Sequence, residues 1–130
     1  MTTVNPATLA PPRGYSHGIV AQGRILFVAG QIGWNRQAEV VSDGFVDQFD
    51  QAVANVLEVV TAAGGSAESV ARLTIFVVDK GEYLAATKDI GERYRARMGK
   101  HFPAMTLVEV KGLLEPGARV EIEATAVIEG

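Results

Sequence analysis

The chain contains no cysteine, which excludes disulfides, thiolate nucleophiles, iron–sulfur clusters and cysteine-based zinc sites. Its two histidines, His17 and His101, lie far apart and show no metal-ligand spacing. Neither a metal nor an organic cofactor is therefore expected. Apolar runs are only a few residues long, as in Ile75-Phe76-Val77-Val78, whereas a bilayer crossing needs about 20. Met1 to Pro12 lacks the basic segment and apolar stretch of a secretion signal. The expectation is a cytoplasmic protein with no membrane partner. Positive charge is also short: 12 Lys and Arg stand against 15 Asp and Glu, for a net charge of −3 and a pI near 5.3. That balance argues against a nucleic-acid partner, whose phosphates call for clustered cations. The one local basic set, Arg93, Arg95, Arg97 and Lys100, reads as the solvated face and final turn of a helix, where cations suit the dipole.

What is present suits an ordinary globule. The 130 residues are 48% hydrophobic and 21% charged, with a mean hydropathy of +0.15, enough for one domain spanning 1–130. Residues 1–12 carry Pro6, Pro11 and Pro12 and read as an extended arm. Tyr15 to Val20 and Arg24 to Ala29 read as strands joined in a hairpin at Gln22-Gly23. A glycine-bearing loop from Gly30 to Asn35 follows, then a short strand at Glu39 to Val41. A first helix, capped by Ser42 or Asp43, repeats Val46, Phe49, Val53, Val56, Leu57 and Val60 at helical spacing and stops at Gly64-Gly65. Ala71 to Val78 is a β-branched strand. A second helix runs from Glu82 to Met98, with Tyr83, Thr87, Ile90 and Tyr94 on one stripe and Gly99 as terminator. Strands Ala104 to Val110 and Ala118 to Ile128 flank a turn at Glu115-Pro116-Gly117.

The order is βββαβαββ, an α+β arrangement with two helices on one face of a mixed, mostly antiparallel sheet. In the strand Leu73 to Val78 both alternating sets are apolar: Leu73, Ile75 and Val77 on one side, Phe76 and Val78 on the other. Two helices can cover only one face, so the second calls for a partner and points to an oligomer.

Several strings in this order resemble the RidA/YjgF family across nearly the whole chain. They are Gly14-Tyr15-Ser16, Phe27-Val28-Ala29-Gly30-Gln31-Ile32 and Gln51-Ala52-Val53-Ala54-Asn55-Val56. Further on come Ala62-Ala63-Gly64-Gly65, Thr74 to Asp79, Phe102-Pro103-Ala104 and Val120-Glu121-Ile122-Glu123-Ala124. The resemblance implies a chorismate-mutase-like fold and a homotrimer with a cleft at each subunit interface. Many members hydrolyse enamines or imines to ketones and ammonia. In such members an arginine directly after the Pro-Ala pair grips the substrate carboxylate; here that residue is Met105. A family asparagine or serine early in the second helix falls near Thr87, and the serine before Gly30 is Ala29. Tyr15, Gly30, Phe102 and Glu121 match.

Glu121, Glu123 and Thr125 share one face of the last strand, while Met105, Leu107 and Glu109 share one face of the strand before it. Antiparallel pairing of the two would bring a carboxylate near the Met105 face. Glu121 then reads either as a solvent-facing glutamate or as the group that orients and deprotonates a water. The family match favours the second, and Glu109 and Glu123 are left facing solvent. His17 follows Tyr15 by two residues and shares its face. It reads either as a proton carrier beside the cleft or as a surface substitution, and His101 reads as structural. Met105 replaces a planar bidentate donor with a flexible apolar side chain. The lost contact is worth roughly 1.5–3 kcal/mol, a ten- to hundredfold weakening of carboxylate binding. Leu107 and Trp34 extend the apolar lining.

The sequence thus points to a cofactor-independent hydrolase of a small imine, enamine or related carbonyl compound. Its substrate is not the standard 2-aminoacrylate. Catalysis would fall to Glu121, Tyr15 and His17, and substrate contacts to Gly30, Trp34, Thr87, Phe102, Met105 and Leu107. If the cation is missed, Arg13 and Arg36 are candidate replacements. The rival is a non-catalytic trimer that binds or senses a small ligand. Ribonuclease or translation-inhibitor activity, named for some relatives, is disfavoured by the acidic charge.

Overall fold

The computed structural model describes residues 1–129. Its main sheet has four strands: β3 (Arg24–Ile32), β4 (Val70–Val77), β5 (Ala104–Glu109) and β6 (Val120–Ile128) in the order β3-β6-β4-β5. β6 runs antiparallel to both β3 and β4, and β5 runs parallel to β4, so the α+β sheet is mixed. A parallel neighbour requires a crossover, and α2 (Lys80–Ala85) and α3 (Thr87–Met98) supply it. The other helix is α1 (Phe45–Ala62). Phe49, Val53, Val56 and Val60 of α1 meet Leu73, Ile75, Val77, Val120 and Ile122 in one buried cluster.

Two expectations fail at the N-terminus. The hairpin between Tyr15–Val20 and Arg24–Ala29 does not form. Only Gly18–Val20 is a strand, β2, and it pairs with β1 (Thr2–Val4), drawn from the arm that reads as merely extended. The reason is that β3 has a better partner. Leu26 and Val28 lie opposite Ala126 and Ala124 of β6, continuing the row buried under the helices. The strand at Glu39–Val41 shrinks to a bridge between Val40 and Trp34. Asn35 closes that turn, its Oδ1 accepting from the Gln37 and Glu39 amides at 2.9 and 3.1 Å.

The second helix is broken as well, at Ala86, whose φ of −123° is not helical. Asp79, whose side chain accepts from the Gly81 amide at 2.8 Å, starts α2 earlier than the periodicity suggests. Neither Ser42 nor Asp43 caps α1; Gly44 does so without a side-chain bond. Ser42 Oγ instead accepts from the Gly44 amide at 2.9 Å.

One polar side chain inside the core ties three segments together. Gln48 is fully buried. Its Nε2 donates to the Ser42 and Gly117 carbonyls at 2.8 and 3.0 Å, and its Oε1 accepts from the Arg119 amide at 2.8 Å. Outside the core, Arg93 and Arg97 of α3 reach Asp47 and Asp50 of α1 at 2.7–3.1 Å rather than lying free in solvent. The hydrogen bond from Arg97 is the chief cause that holds the Asp50 carboxyl below the ordinary aspartate range.

Replacing Gln48 by Leu should strand the Arg119 amide and the Gly117 carbonyl in an apolar setting. Each such group costs about 1–3 kcal/mol, so the midpoint of thermal unfolding should fall by roughly 5–15 °C. A melt within 2–3 °C or so of the parent would show that the amide is dispensable.

Candidate active site in two halves

The residues singled out in the sequence gather at opposite edges of the sheet. Tyr15, His17, Phe102 and Met105 sit at the β5 edge, with Thr87 at the start of α3. Ser16 holds the first group in place. Its amide donates to the Pro103 carbonyl at 3.0 Å and its Oγ to the Phe102 carbonyl at 2.6 Å, which extends the sheet by one bridge to Ala104. The Tyr15 and His17 rings meet edge to face, 5.4 Å between centroids. His17 Nε2 lies 2.7 Å from the Ala10 carbonyl; a carbonyl only accepts, so Nε2 carries the proton and Nδ1 is left for other work.

Met105 separates two hollows. The first, about 560 Å³, is lined by Tyr15, His17, Arg72, Met105, Thr106 and Thr125. The second, about 180 Å³, lies toward the helices between Tyr83, Thr87, Ile90, Tyr94, Phe102 and Met105. Its walls are largely apolar apart from Arg95, which also lines it. Tyr94 stacks on Phe102 at 5.8 Å and spends its hydroxyl on the His101 carbonyl at 2.8 Å. Burial pushes the Tyr94 phenol up, so it stays protonated and acts as a wall. His101 is engaged with the Val70 carbonyl at 2.6 Å, a structural use. Leu107 is in register with Ile75 and packs, half-buried, against the core; it lines neither hollow.

The other half belongs to β3 and β6. A β-bulge sets Ala29 and Gly30 against Glu123 alone, the kind of irregularity that re-aims side chains. The Glu121 side chain lies where a Cβ on Gly30 would stand, so only glycine lets the carboxylate rest against the β3 backbone. Trp34 follows at the end of this strand. Its carbonyl and that of Ile32 accept from Asn55 Nδ2 of α1 at 2.9 and 3.0 Å, and the Asn55 Oδ1 is fixed by Gln51 at 2.9 Å.

The expectation that β5 and β6 pair, bringing a carboxylate to the Met105 face, is thus wrong. β4 lies between them. Met105 is in register with Leu73 and Ala124, both buried under the helices, whereas Glu121 alternates with buried Val120 and Ile122 and faces the other way. Gly30 and Met105 are three strand spacings apart, about 14 Å. Sequence reasoning also passed over Arg72, which lines the first hollow. A charged residue inside an otherwise apolar strand was the available signal. Arg36 sits in the Asn35–Ala38 turn beyond Trp34, and Arg13 is an exposed neighbour of Gly14; neither lines these hollows.

The helix-backed mixed sheet is the fold that this chain shares with solved Rid-family proteins. A family model described as endoribonuclease L-PSP matches residues 5–128, and the chain belongs to that family, the RidA/YjgF family. It is 35% identical over 123 residues to a 2-iminobutanoate/2-iminopropanoate deaminase of Dermatophagoides farinae, covering 93% of this chain and 92% of that one. It is 31% identical to the protein of the same name from Capra hircus, covering 97% and 86%. Among solved structures, a Rid-family protein of unknown function from Yersinia pestis shares 34% identity, with a TM-score of 0.86 and 98% of each chain covered. TdcF of E. coli, solved with bound serine, shares 27%, with a TM-score of 0.72 and coverage of 99% and 97%.

A glycine exchange separates site from scaffold. An added Cβ at Gly30 meets the movable Glu121 side chain, whereas at Gly33 it meets Gln48 backbone atoms of α1 at 2.6 and 2.7 Å. Gly33→Ala should lower the melting temperature by roughly 5–10 °C, as overpacking does. Gly30→Ala should leave it nearly unchanged while displacing the Glu121 carboxylate. Equal losses in the two melts would show that Glu121 cannot yield.

Proposed function

We propose that the chain is a cofactor-independent hydrolase of small imines, enamines or related carbonyl compounds, working in clefts between the copies of a homotrimer. One observation carries the reading. Glu121 and Gly30 lie at one edge and one face of the sheet, and Tyr15, His17 and Met105 at the other, so no single chain can bring them onto one substrate. Joining the β3 edge of one copy to the β5 edge of the next is a head-to-tail contact, which closes into a ring when the rotation allows. The bare face of the sheet supports the same assembly, since Ile25 and Phe27 are 62% and 79% exposed there and Val108 40%. The deaminase names of the relatives agree with this chemistry at the family level.

In such a cleft a water adds to the imine carbon, the nitrogen takes up protons, and the adduct collapses to a carbonyl compound and ammonia. Glu121 takes the proton from the attacking water. Tyr15 and the Nδ1 side of His17 handle protons on the nitrogen, and backbone amides by Gly30 steady developing negative charge. Met105, where other members grip a carboxylate with arginine, places an apolar part of the substrate between the two hollows.

That same methionine supports a second reading, a trimer that binds a small apolar ligand without turning it over. Cleavage of RNA is disfavoured, because Arg93, Arg97 and Arg119 are spent on Asp47, Asp50 and Glu82 within the chain and the net charge is −3.

Sedimentation at micromolar concentration should return three times the 13.8 kDa chain mass; a monomer would remove the cleft altogether. With imines generated in situ from apolar amino acids, ketone release should drop at least a hundredfold in Glu121→Gln while ligand binding persists. Absence of turnover in the parent protein, with binding intact, would leave the sensing trimer.

A further inference from the structure

Of the three arginines on α3, only Arg95 does not bind α1. Arg93 and Arg97, one turn apart on the same side of the helix, pair with Asp47 and Asp50. Arg95 falls midway between them in sequence and so projects from the other side. Among the described residues it makes no ion pair or side-chain hydrogen bond. Its side chain lies over Gly91, one turn back: a Cβ on Gly91 would stand 3.2 Å from Arg95 Nη1 and 3.8 Å from Cζ. Both residues line the smaller hollow beside Phe102. Arg95 is exposed, so its guanidinium stands at the mouth of that hollow.

Gly91 is an unfavourable residue for its place. Glycine inside a helix costs stability relative to alanine, and no positive φ calls for it here. Its missing side chain does keep the hollow open. The floor is formed by Phe49, Ile75 and Ile90, all buried, and the side walls include Phe102 and Met105. Tyr94 stacks behind Phe102 and steadies that wall. A close-packed protein leaves few voids of this kind. The volume, about 180 Å³, matches a single six-membered ring, since an apolar cavity of about 150 Å³ accepts benzene. A planar cation at the mouth suits such a ring when it is aromatic, because the negative face of the ring attracts a guanidinium.

We propose that this hollow is a ring pocket, seating one six-membered aromatic ring of the substrate, with Gly91 giving it room and Arg95 covering its face. The proposal rests on the hydrolase reading and deepens it, making the substrate an aryl-substituted imine or enamine. Unlike the cleft shared between two edges, the pocket takes all its walls from one chain.

Binding of neutral, product-like ketones tests the pocket apart from turnover. Phenylacetone, cyclohexylacetone, 2-naphthylacetone and butan-2-one are titrated into the full-length protein and followed by the NMR shifts of its backbone amides. Phenylacetone should bind about tenfold more tightly than butan-2-one and shift the amides of Thr87, Ile90 and Gly91. The naphthyl ketone, whose ring system is too large, should bind more weakly than the phenyl one. Arg95→Met keeps the stem and removes the cation. It should weaken phenylacetone about three- to fivefold and leave cyclohexylacetone nearly unchanged. Gly91→Leu should melt no lower than the parent and weaken phenylacetone about tenfold by filling the mouth. Phenylacetone bound no more tightly than butan-2-one overturns the proposal, as do shifts that spare α3. So does a naphthyl ketone that binds as well as the phenyl one, or a folded Gly91→Leu with parent affinity. Arg95→Met that weakens the phenyl and cyclohexyl ketones alike, or neither, overturns it too. If Gly91→Leu fails to fold, Arg95→Met decides by the ratio of those two ketones. Should the ratios hold while no imine is turned over, the hydrolase reading falls and the ring pocket stands as the site of a binding protein. Hydrolysis of alkyl imines with the ratios absent removes the pocket alone.

Discussion

Everything in this molecule follows from a sheet that has helices on only one side. The core is built by one alternating set from each strand, with Val120, Ile122, Ala124 and Ala126 of β6 fully or nearly buried and α1 laid across them. The second set must go elsewhere. It carries Ile25, Phe27 and Val108 on β3 and β5, which in an isolated chain stand in water, and it carries Glu121, Thr125 and Arg72. A face that mixes large apolar groups with a few charges is costly to leave bare and costly to bury unless each charge finds its partner. That tension sorts the residues: the apolar ones suit association with another surface, and the charged ones require a polar neighbour.

The polar side chains inside the fold act as fasteners between segments that have no regular pairing. Gln48 joins α1 to the turn before β6, and Asn55 joins α1 to the loop after β3. Both project from the same helix, seven residues apart, two turns along one side. Ser16 does the equivalent at the other edge by latching the N-terminal segment to the start of β5. These three groups hold Trp34 and Gly30 at one end and Tyr15 and His17 at the other, on backbone that hydrogen-bond ladders alone would leave loose.

Periodicity in the sequence reveals faces: the stripe of α1 and the alternation of β6 stand where spacing puts them, whereas the second face of β4 holds Arg72 and Thr74 beside Phe76 and the bare apolar groups lie on β3 and β5. Periodicity does not reveal neighbours. The strings Tyr15–Val20 and Arg24–Ala29 look like a hairpin because a glycine turn separates them, yet β3 pairs with a strand nearly a hundred residues away. The placing of β4 between β5 and β6 is likewise a long-range outcome, and it reverses the relation of Glu121 to Met105. Residue types at the site were legible through family strings. Arg72 matched no string, and its position depends on a bulge at Ala71 that no pattern of polarity announces.

Dividing the cleft between two edges has a consequence for how such a site changes. The Glu121 and Gly30 half is geometrically tight, because the carboxylate fills the space that any side chain at Gly30 would need. Substitution at Gly30 displaces the Glu121 carboxylate directly. The β5 half is looser: Met105 is flexible, only half-buried, and flanked by hollows on both sides. A residue in that setting can change between a charged fork and a thioether with little cost to the core. Arg72, one strand inward, projects from the opposite face of the sheet, with Thr125 and Glu121. The Met105 wall and the Glu121 side are therefore free to vary separately within one fold.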